Sequence, residues 1–315
     1  MARIAGVDIG GTNITAALVE DDHSVGDRLK VATPTDGPKA VIQAVADLLE
    51  QFDTPADAVG IGMPGPINDG VVSTPPNLRN WPDEYDFGKK AAKALGVPVA
   101  VGNDVNVAIL GEWEAGAGRG SRHVLGVWMG TGVGGGLILD GRPYTGPTGA
   151  AGEFGHMIVR AGGAQCGCGR RGCIEAYAGR ANMERFVERA VASGGFESSI
   201  YDIRDDKGKD RLTSSVWAKA LKEEDAVTVR VFDDAIEAVA IGIASVLNLL
   251  DVDRVVIGGG VAEKLGQDLA DRIKRAAAPH TFVAFEGRDF VVAELEDDSG
   301  IVGAAALGRA ALILG

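Results

Sequence analysis

Three cysteines, Cys166, Cys168 and Cys173, fall in one short stretch, with His156 just upstream. Three thiolates and one imidazole form a closed tetrahedral zinc set, and the C-x-C-x4-C spacing keeps the ligands within one compact loop. An odd number of cysteines packed this tightly is a poor disulfide framework. With no open coordination position, such a zinc is structural rather than catalytic. Glu153-x-x-His156 lacks the second histidine of a metalloprotease helix.

Three glycine clusters follow apolar strands: Gly10-Gly11-Thr12, Gly130 to Gly136, and Gly258-Gly259-Gly260. Without a Cβ, a glycine loop lets backbone N–H groups wrap an anion, and Thr12 and Thr131 add hydroxyl donors. Neither hairpin loop is a Walker A motif, because no Gly-Lys-Ser/Thr follows, and there is no Rossmann fingerprint opening a helix. One such loop reads as a tight turn. Three, with Asp8 at a strand end, point to nucleotide phosphates. Asp8 either caps its turn or holds Mg²⁺ through water, and the neighbouring loops favour the second.

Val97 to Val101 leads into Gly102-Asn103-Asp104-Val105-Asn106, a strand end at the mouth of a helix, where α/β folds place ligands. Asp104 is either the helix N-cap or a base that accepts a proton from a hydroxyl nucleophile. Asn103 and Glu153 could grip neighbouring hydroxyls.

The elements that must hold these residues follow from periodicity. Arg3–Ile9 and Ile14–Val19 read as a hairpin, Lys39–Phe52 as a helix and Ala58–Met63 as a buried strand. Tyr85–Leu95 reads as a helix, Val97–Val101 as a strand and Val105–Ala115 as a helix, an alternation that argues for an α/β sheet. Val124–Met129 and Gly136–Leu139 flank a second glycine loop. The segments 7–19 and 127–139 form a weak internal repeat, which suggests two related α/β halves facing one another. A long core helix through Phe232, Ile236, Val239, Ile243, Val246 and Leu250, a strand Arg254–Ile257 and an Ala-rich helix Ile301–Leu314 complete the chain. The polar stretch Gly194–Lys209 reads as a mobile loop.

Composition excludes partners more than it names them. The 315 residues carry a net charge of −13, which opposes binding to nucleic acid or anionic lipid. The acid is dispersed, and 46% hydrophobic content is that of a folded globule. No secretory signal opens the chain, and Ala235–Leu250 is too short to span a bilayer, so a cytoplasmic protein is expected. Lysine supplies only 11 of the 31 basic residues, which suits either a high-salt cytoplasm or a GC-rich genome. Glycine, at 46 residues, is about twice its usual share and has no collagen period.

Together the segments DIGGTN (8–13), MPGPI (63–67), PNLRNW (76–81), NDVNVAILGE (103–112), GTGVGGGLI (130–138), AGEFGHM (151–157) and CGCGRRGCIEAYAG (166–179) resemble the ROK family of sugar kinases and related repressors. The resemblance implies a two-lobed actin-like ATPase (ribonuclease H-like) fold, duplicated α/β domains with a cleft that closes around sugar and ATP. The expected domains are 1–115 plus 299–315, and 116–298. It implies that Asp8, Gly10, Gly11, Thr12, Asn13, Thr131 and Gly132 hold ATP phosphates with Mg²⁺, and that Gly258, Gly259 and Gly260 lie along the adenosine. Asp104 matches the catalytic base. Asn103, Glu153, His156 and Glu175 match sugar-hydroxyl ligands, with Gly65 and Asn77 as weaker members. His156 could bind zinc with one ring nitrogen and sugar with the other. The implied reaction is ATP-dependent phosphorylation of glucose at its 6-hydroxyl, a step of glycolysis. Fructose, N-acetylglucosamine or N-acetylmannosamine are alternative substrates, and a non-catalytic sugar sensor is the alternative of another class. The family's DNA-binding branch carries an N-terminal helix-turn-helix, for which the residues before Asp8 leave no room. Polyphosphate-using relatives tend to lack the cysteine motif, so its presence favours ATP as donor. A homodimer or homotetramer is expected.

Overall fold

The computed structural model describes residues 2–282 and 285–314. In chain order the strands and helices of the first half are β1 (Ile4–Ile9), β2 (Asn13–Val19), β3 (Leu29–Ala32), α1 (Pro38–Leu49), β4 (Ala58–Met63), β5 (Ile67–Asn68), β6 (Val71–Ser73), β7 (Glu84–Asp86), α2 (Phe87–Leu95), β8 (Val99–Asn103) and α3 (Asp104–Ala115). Then come β9 (Val124–Met129), β10 (Val133–Leu139), β11 (Arg142–Pro143), α4 (Glu175–Ala178), α5 (Arg180–Ala192), α6 (Ile200–Asp206), α7 (Ser214–Lys222) and α8 (Ala226–Leu250). The chain closes with β12 (Arg254–Gly258), α9 (Gly260–Leu265), α10 (Gln267–Ala277), β13 (Asp289–Val292) and α11 (Ser299–Leu314).

These elements form two compact units, one of Met1–Arg122, Gly136–Gly152 and Asp297–Gly315, the other of His123–Gly135 and Glu153–Glu296. The first unit is built on a sheet of order β3-β2-β1-β4-β8, in which β1 pairs antiparallel with β2 and parallel with β4. One face is closed by α1 and α2, whose Val41, Val45, Leu48 and Phe87 pack with Val7, Ile9, Val59 and Ile61. The α11 helix seats against this unit backbone to backbone. A Cβ on Gly60 would stand 1.6 Å from the Ala304 carbonyl oxygen, and one on Gly303 would stand 1.7 Å from that of Val107. Only glycine permits that approach.

The second sheet runs β11-β10-β9-β12-β13, with β9 parallel to β12 and β12 parallel to β13. Its strand order repeats that of the first: hairpin partner outside, then two parallel strands. The internal repeat is therefore a repeat of topology. The unit's core helix α8 is capped by Asp225, whose carboxylate accepts the Thr228 N–H at 2.8 Å, and ends at Asp251 in the left-handed conformation.

The structure moves several expected boundaries. Tyr85 lies in β7, so α2 starts at Phe87. The strand expected at Val97–Val101 is β8, running to Asn103. Gly134, Gly135 and Gly136 lie inside β10 rather than in a loop, and a Cβ at Gly136 would meet the Asn106 side chain at 2.6 Å. The stretch Gly194–Lys209 is not a simple mobile loop. It contains α6, which buries Ile200 and Ile203. Its entry is tied down by Asp225, which accepts hydrogen bonds from Ser198 Oγ at 2.9 Å and Ser199 N–H at 2.8 Å. Among the described residues no helix is long and apolar enough to cross a membrane.

Candidate active site

In the first unit, β1 ends at the turn Gly10–Asn13, which closes through a Gly10 N–H to Asn13 carbonyl bond of 2.9 Å. Thr33 holds the turn from outside: its hydroxyl donates to the Gly10 carbonyl at 2.7 Å and its N–H donates to the Thr12 carbonyl at 2.9 Å. Asn77, at φ 68°, lies against Gly11, where a Cβ would stand 2.8 Å from its own. The tip of the turn, Gly11 and Thr12, is exposed.

Asp8 sits one residue before the end of β1, opposite Thr15 in β2 and Gly62 in β4. Gly300, in the first turn of α11, lies close enough that its Cβ would be 3.7 Å from Asp8 Cγ. Burial, then the charges of Asp104 and Asp297, pushes the Asp8 carboxyl up to about 6. A buried carboxylate beside other carboxylates is a site that a cation would relieve.

Asp104 is the first residue of α3, but it is not the cap. Asn103 is: its Oδ1 accepts the N–H groups of both Val105 and Asn106 at 3.1 Å. The Asn103 Nδ2 also donates to the Gly65 carbonyl at 3.2 Å, where Gly65 holds φ 104°. Asn103 thus does the structural work that could have fallen to Asp104. Burial raises the Asp104 carboxyl above its ordinary range, partly offset by the Val105 N–H it accepts at 2.9 Å. A half-buried acid of raised basicity, relieved of capping, can accept a proton.

In the second unit the turn Gly130–Gly132 closes through Gly130 N–H to the Gly132 carbonyl at 2.9 Å. The start of α5 packs on it. Arg180 N–H donates to the Gly130 carbonyl at 3.1 Å, and the Arg180 guanidinium donates to Thr131 Oγ1 at 3.0 Å and to Ser214 Oγ at 3.4 Å. Glu175 Oε2 accepts the Val133 N–H at 3.0 Å, so close over Gly132 that a Cβ there would be 2.3 Å from the carboxylate. The third cluster, Gly258–Gly260, joins β12 to α9. Gly259 has φ 91°, and its Cβ would meet the Met129 carbonyl oxygen at 2.5 Å.

The side chains of His156, Cys166, Cys168 and Cys173 bring one ligand atom each within 4.8 Å of one another. Cys168 and Cys173 sulfurs are 3.7 Å apart, and Cys166 Sγ is 3.9 Å from His156 Nδ1. Four ligands at zinc-bond length around one ion would be separated by about 3.5–3.8 Å, so the set fits zinc. The thiols are unequal without a cation. Burial pushes Cys166 up to about 12, while the Arg170 N–H brings exposed Cys168 down to about 7. A coordinated cation removes that inequality by holding all three as thiolates. The cluster reaches the glycine turn through Glu175, whose Oε1 is 3.8 Å from Cys166 Sγ. His156 turns Nδ1 to the cysteines and Nε2 to Glu153 Oε2, 4.0 Å away.

Asp8, Gly10–Asn13, Gly65, Asn77, Asn103 and Asp104 thus gather in the first unit. Thr131, Gly132, Glu153, His156, Glu175, the three cysteines and Gly258–Gly260 gather in the second. The sequence reading missed Asp297, Thr33 and Arg180. Arg180 directly follows the AYAG segment and could have been found as the one basic residue at a helix start beside the cysteine motif. Asp297 and Thr33 are far from the motifs in sequence, and only the sheet and α11 bring them in.

Two α/β sheets of matching order in separate lobes, each with a glycine hairpin, define the actin-like ATPase fold. A ROK glucokinase from Streptomyces griseus, solved with glucose and AMPPNP, superposes with a TM-score of 0.81 at 32% identity, covering 98% of this chain and 99% of that one. The sequence profile of the ROK family matches residues 4–311, and the chain belongs to that family, as a sugar kinase. A glucokinase of Thermotoga maritima is 31% identical over 97% of this chain and 96% of its own. An N-acetylgalactosamine kinase of Shewanella sp. is 32% identical, covering 96% of each.

Proposed function

We propose that the protein is an ATP-dependent hexose kinase that phosphorylates the 6-hydroxyl of glucose, working in the cytoplasm as a homodimer or homotetramer. Asp104 would take the proton of that hydroxyl as its oxygen attacks the γ-phosphorus, and the bond from phosphorus to the ADP oxygen breaks. The turns Gly10–Asn13 and Gly130–Gly132, with Thr12 and Thr131, would cradle the phosphates by backbone N–H groups, and Arg180 would add a positive charge. Asp8 would hold Mg²⁺, which neutralises phosphate charge when bound. Gly258–Gly260 would lie along the adenosine. Glu153, His156 and Glu175 would bind sugar hydroxyls, as would Asn77, Asn103 and Gly65. Zinc on His156, Cys166, Cys168 and Cys173 would fix the imidazole so that Nε2 stays free for sugar.

The observation that carries the reading is Asp104 itself, relieved of capping by Asn103 and raised by burial at a strand end. A second reading, an N-acetylhexosamine kinase, is favoured by the N-acetylgalactosamine kinase relative, as similar as the glucokinases. A coupled assay with ATP, Mg²⁺ and a panel of glucose, fructose, N-acetylglucosamine and N-acetylmannosamine separates them. Highest kcat/KM on glucose is expected. Preference for an acetylated sugar would replace the substrate, and no turnover on any sugar with ATP still bound would leave a sensor.

A further inference from the structure

In the first unit α3 and α11 cross at backbone distance. A Cβ on Gly111 would stand 2.2 Å from the Ser299 carbonyl oxygen, and one on Gly303 would meet the Val107 carbonyl. Asp104, Val107 and Gly111 are spaced i, i+3 and i+7 and so lie on one face of α3. The crossing therefore falls on the stripe that begins at Asp104. The partner helix opens with Ser299 and Gly300, and Gly300 lies against Asp8. How α11 is set on α3 thus decides where Asp104 stands with respect to Asp8.

A glycine contact brings two helices close but interlocks no side chains at the contact, and side-chain ridges and grooves are what ordinarily set a crossing angle. The angle must be fixed from beside it. Glu112 is placed to do so. Glu112 and Ser299 are each 1% exposed, and Glu112 has no part in the proposed chemistry. Its Oε1 accepts the Ser299 hydroxyl at 2.7 Å, and its Oε2 accepts the Ala117 N–H at 2.9 Å. Its carbonyl accepts the N–H groups of Gly116 and Gly118 at 3.0 and 2.8 Å, so the end of α3 winds around this one residue. A carboxylate is costly to bury, and what it adds over an apolar side chain is direction: both oxygens must meet their donors.

We propose that Glu112 is a positioning residue for the phosphoryl transfer: through Ser299 it fixes the angle between α3 and α11, and with it the placement of Asp104 against Asp8. It stands about 12 Å behind Asp104 along α3 and acts from there through the two helices. The inference rests on the reading of Asp104 as the base, and it does not depend on which sugar is phosphorylated.

Steady-state kinetics with ATP and the sugar that turns over best test it, on Glu112→Met, Glu112→Gln, Ser299→Ala and the Glu112→Met, Ser299→Ala pair, each assayed well below its own Tm. Methionine fills the space and removes both acceptors. It should lower kcat about tenfold with both KM values within about twofold, because alignment of the reacting groups is what is lost. Glu112→Gln should recover most of that kcat, since its amide can accept from Ala117 and donate to Ser299 Oγ. Ser299→Ala should lower kcat as Glu112→Met does, and the pair should fall no further than the larger single loss. Wild-type kcat with a lowered Tm in Glu112→Met would overturn the proposal, and so would a Glu112→Gln as slow as Glu112→Met, or single losses that multiply in the pair. If Glu112→Met does not fold, Ser299→Ala decides: wild-type kcat there overturns the proposal. Wild-type kcat in Asp104→Asn would instead remove the base on which the inference rests.

Discussion

The hairpins Ile4–Val19 and Val124–Leu139 occupy the same place in two sheets of the same order, yet one aligned position separates their chemistry. In the first, Asp8 lies opposite Gly62 of the parallel strand β4. In the second, Trp128 takes that place, opposite Gly258 of β12, and its indole lies across that glycine, where a Cβ would come within 2.4 Å. The turns that follow differ too. Gly10–Asn13 is held by one threonine and bare backbone, whereas Gly130–Gly132 is held by Arg180 and by Glu175, which leads on to the cysteine cluster. One repeat has collected carboxylates, and the other side-chain braces. A shared topology constrains where a loop sits, and the residue one step back along the strand decides what it does.

Four substitutions break or sharpen that division, from the largest effect to the smallest. Asp104→Asn should lower kcat by about 10³-fold with the fold intact, since general-base catalysis contributes on that scale. Initial-rate kinetics and circular dichroism check it, and activity above a few per cent would remove Asp104 from the role of base. Asp8→Asn should lower kcat by roughly a hundredfold, through loss of the Mg²⁺-holding charge.

The same change should stabilise the unliganded protein. The Asp8 carboxyl is raised from its ordinary value to about 6, so keeping it ionised destabilises the fold at pH 8, on the order of 3 kcal/mol. Asn carries no such cost. The gain in Tm should be full above pH 6 and shrink toward pH 4, where the unfolded chain also takes up the proton. A gain that grows as pH falls would contradict the assignment.

Cys168→Ala should lose zinc, measured as metal per chain, and raise the sugar KM about tenfold. Thr131→Ala should raise the ATP KM only a few-fold, because the Gly130–Gly132 backbone and Arg180 remain.

Much of this was legible in the chain. The cysteine set was readable because four ligands within one short segment leave few other arrangements. The duplication was readable because strand, glycine turn and strand recur in the same order. Other features were not. Whether Asp104 caps α3 was open because the adjacent Asn103 is an equally good cap, and it is Asn103 that takes the Val105 and Asn106 N–H groups. The glycine excess also had a use that spacing did not reveal. Gly60 and Gly303 serve neither phosphate nor metal, but let α11 meet the sheet and α3 at backbone distance. The order of Gly194–Lys209 was hidden for a similar reason, since Asp225, beyond that segment in sequence, anchors it.

The central claim is that the first unit's carboxylate performs the proton transfer while the second unit's metal-braced cluster holds the sugar. Measuring kcat and sugar KM separately for Asp104→Asn and Cys168→Ala tests it most directly. The account predicts that Asp104→Asn loses kcat with KM within a few-fold of wild type, and that Cys168→Ala raises KM with a much smaller loss of kcat. Equal loss of kcat in both, with KM unchanged in Cys168→Ala, would contradict it.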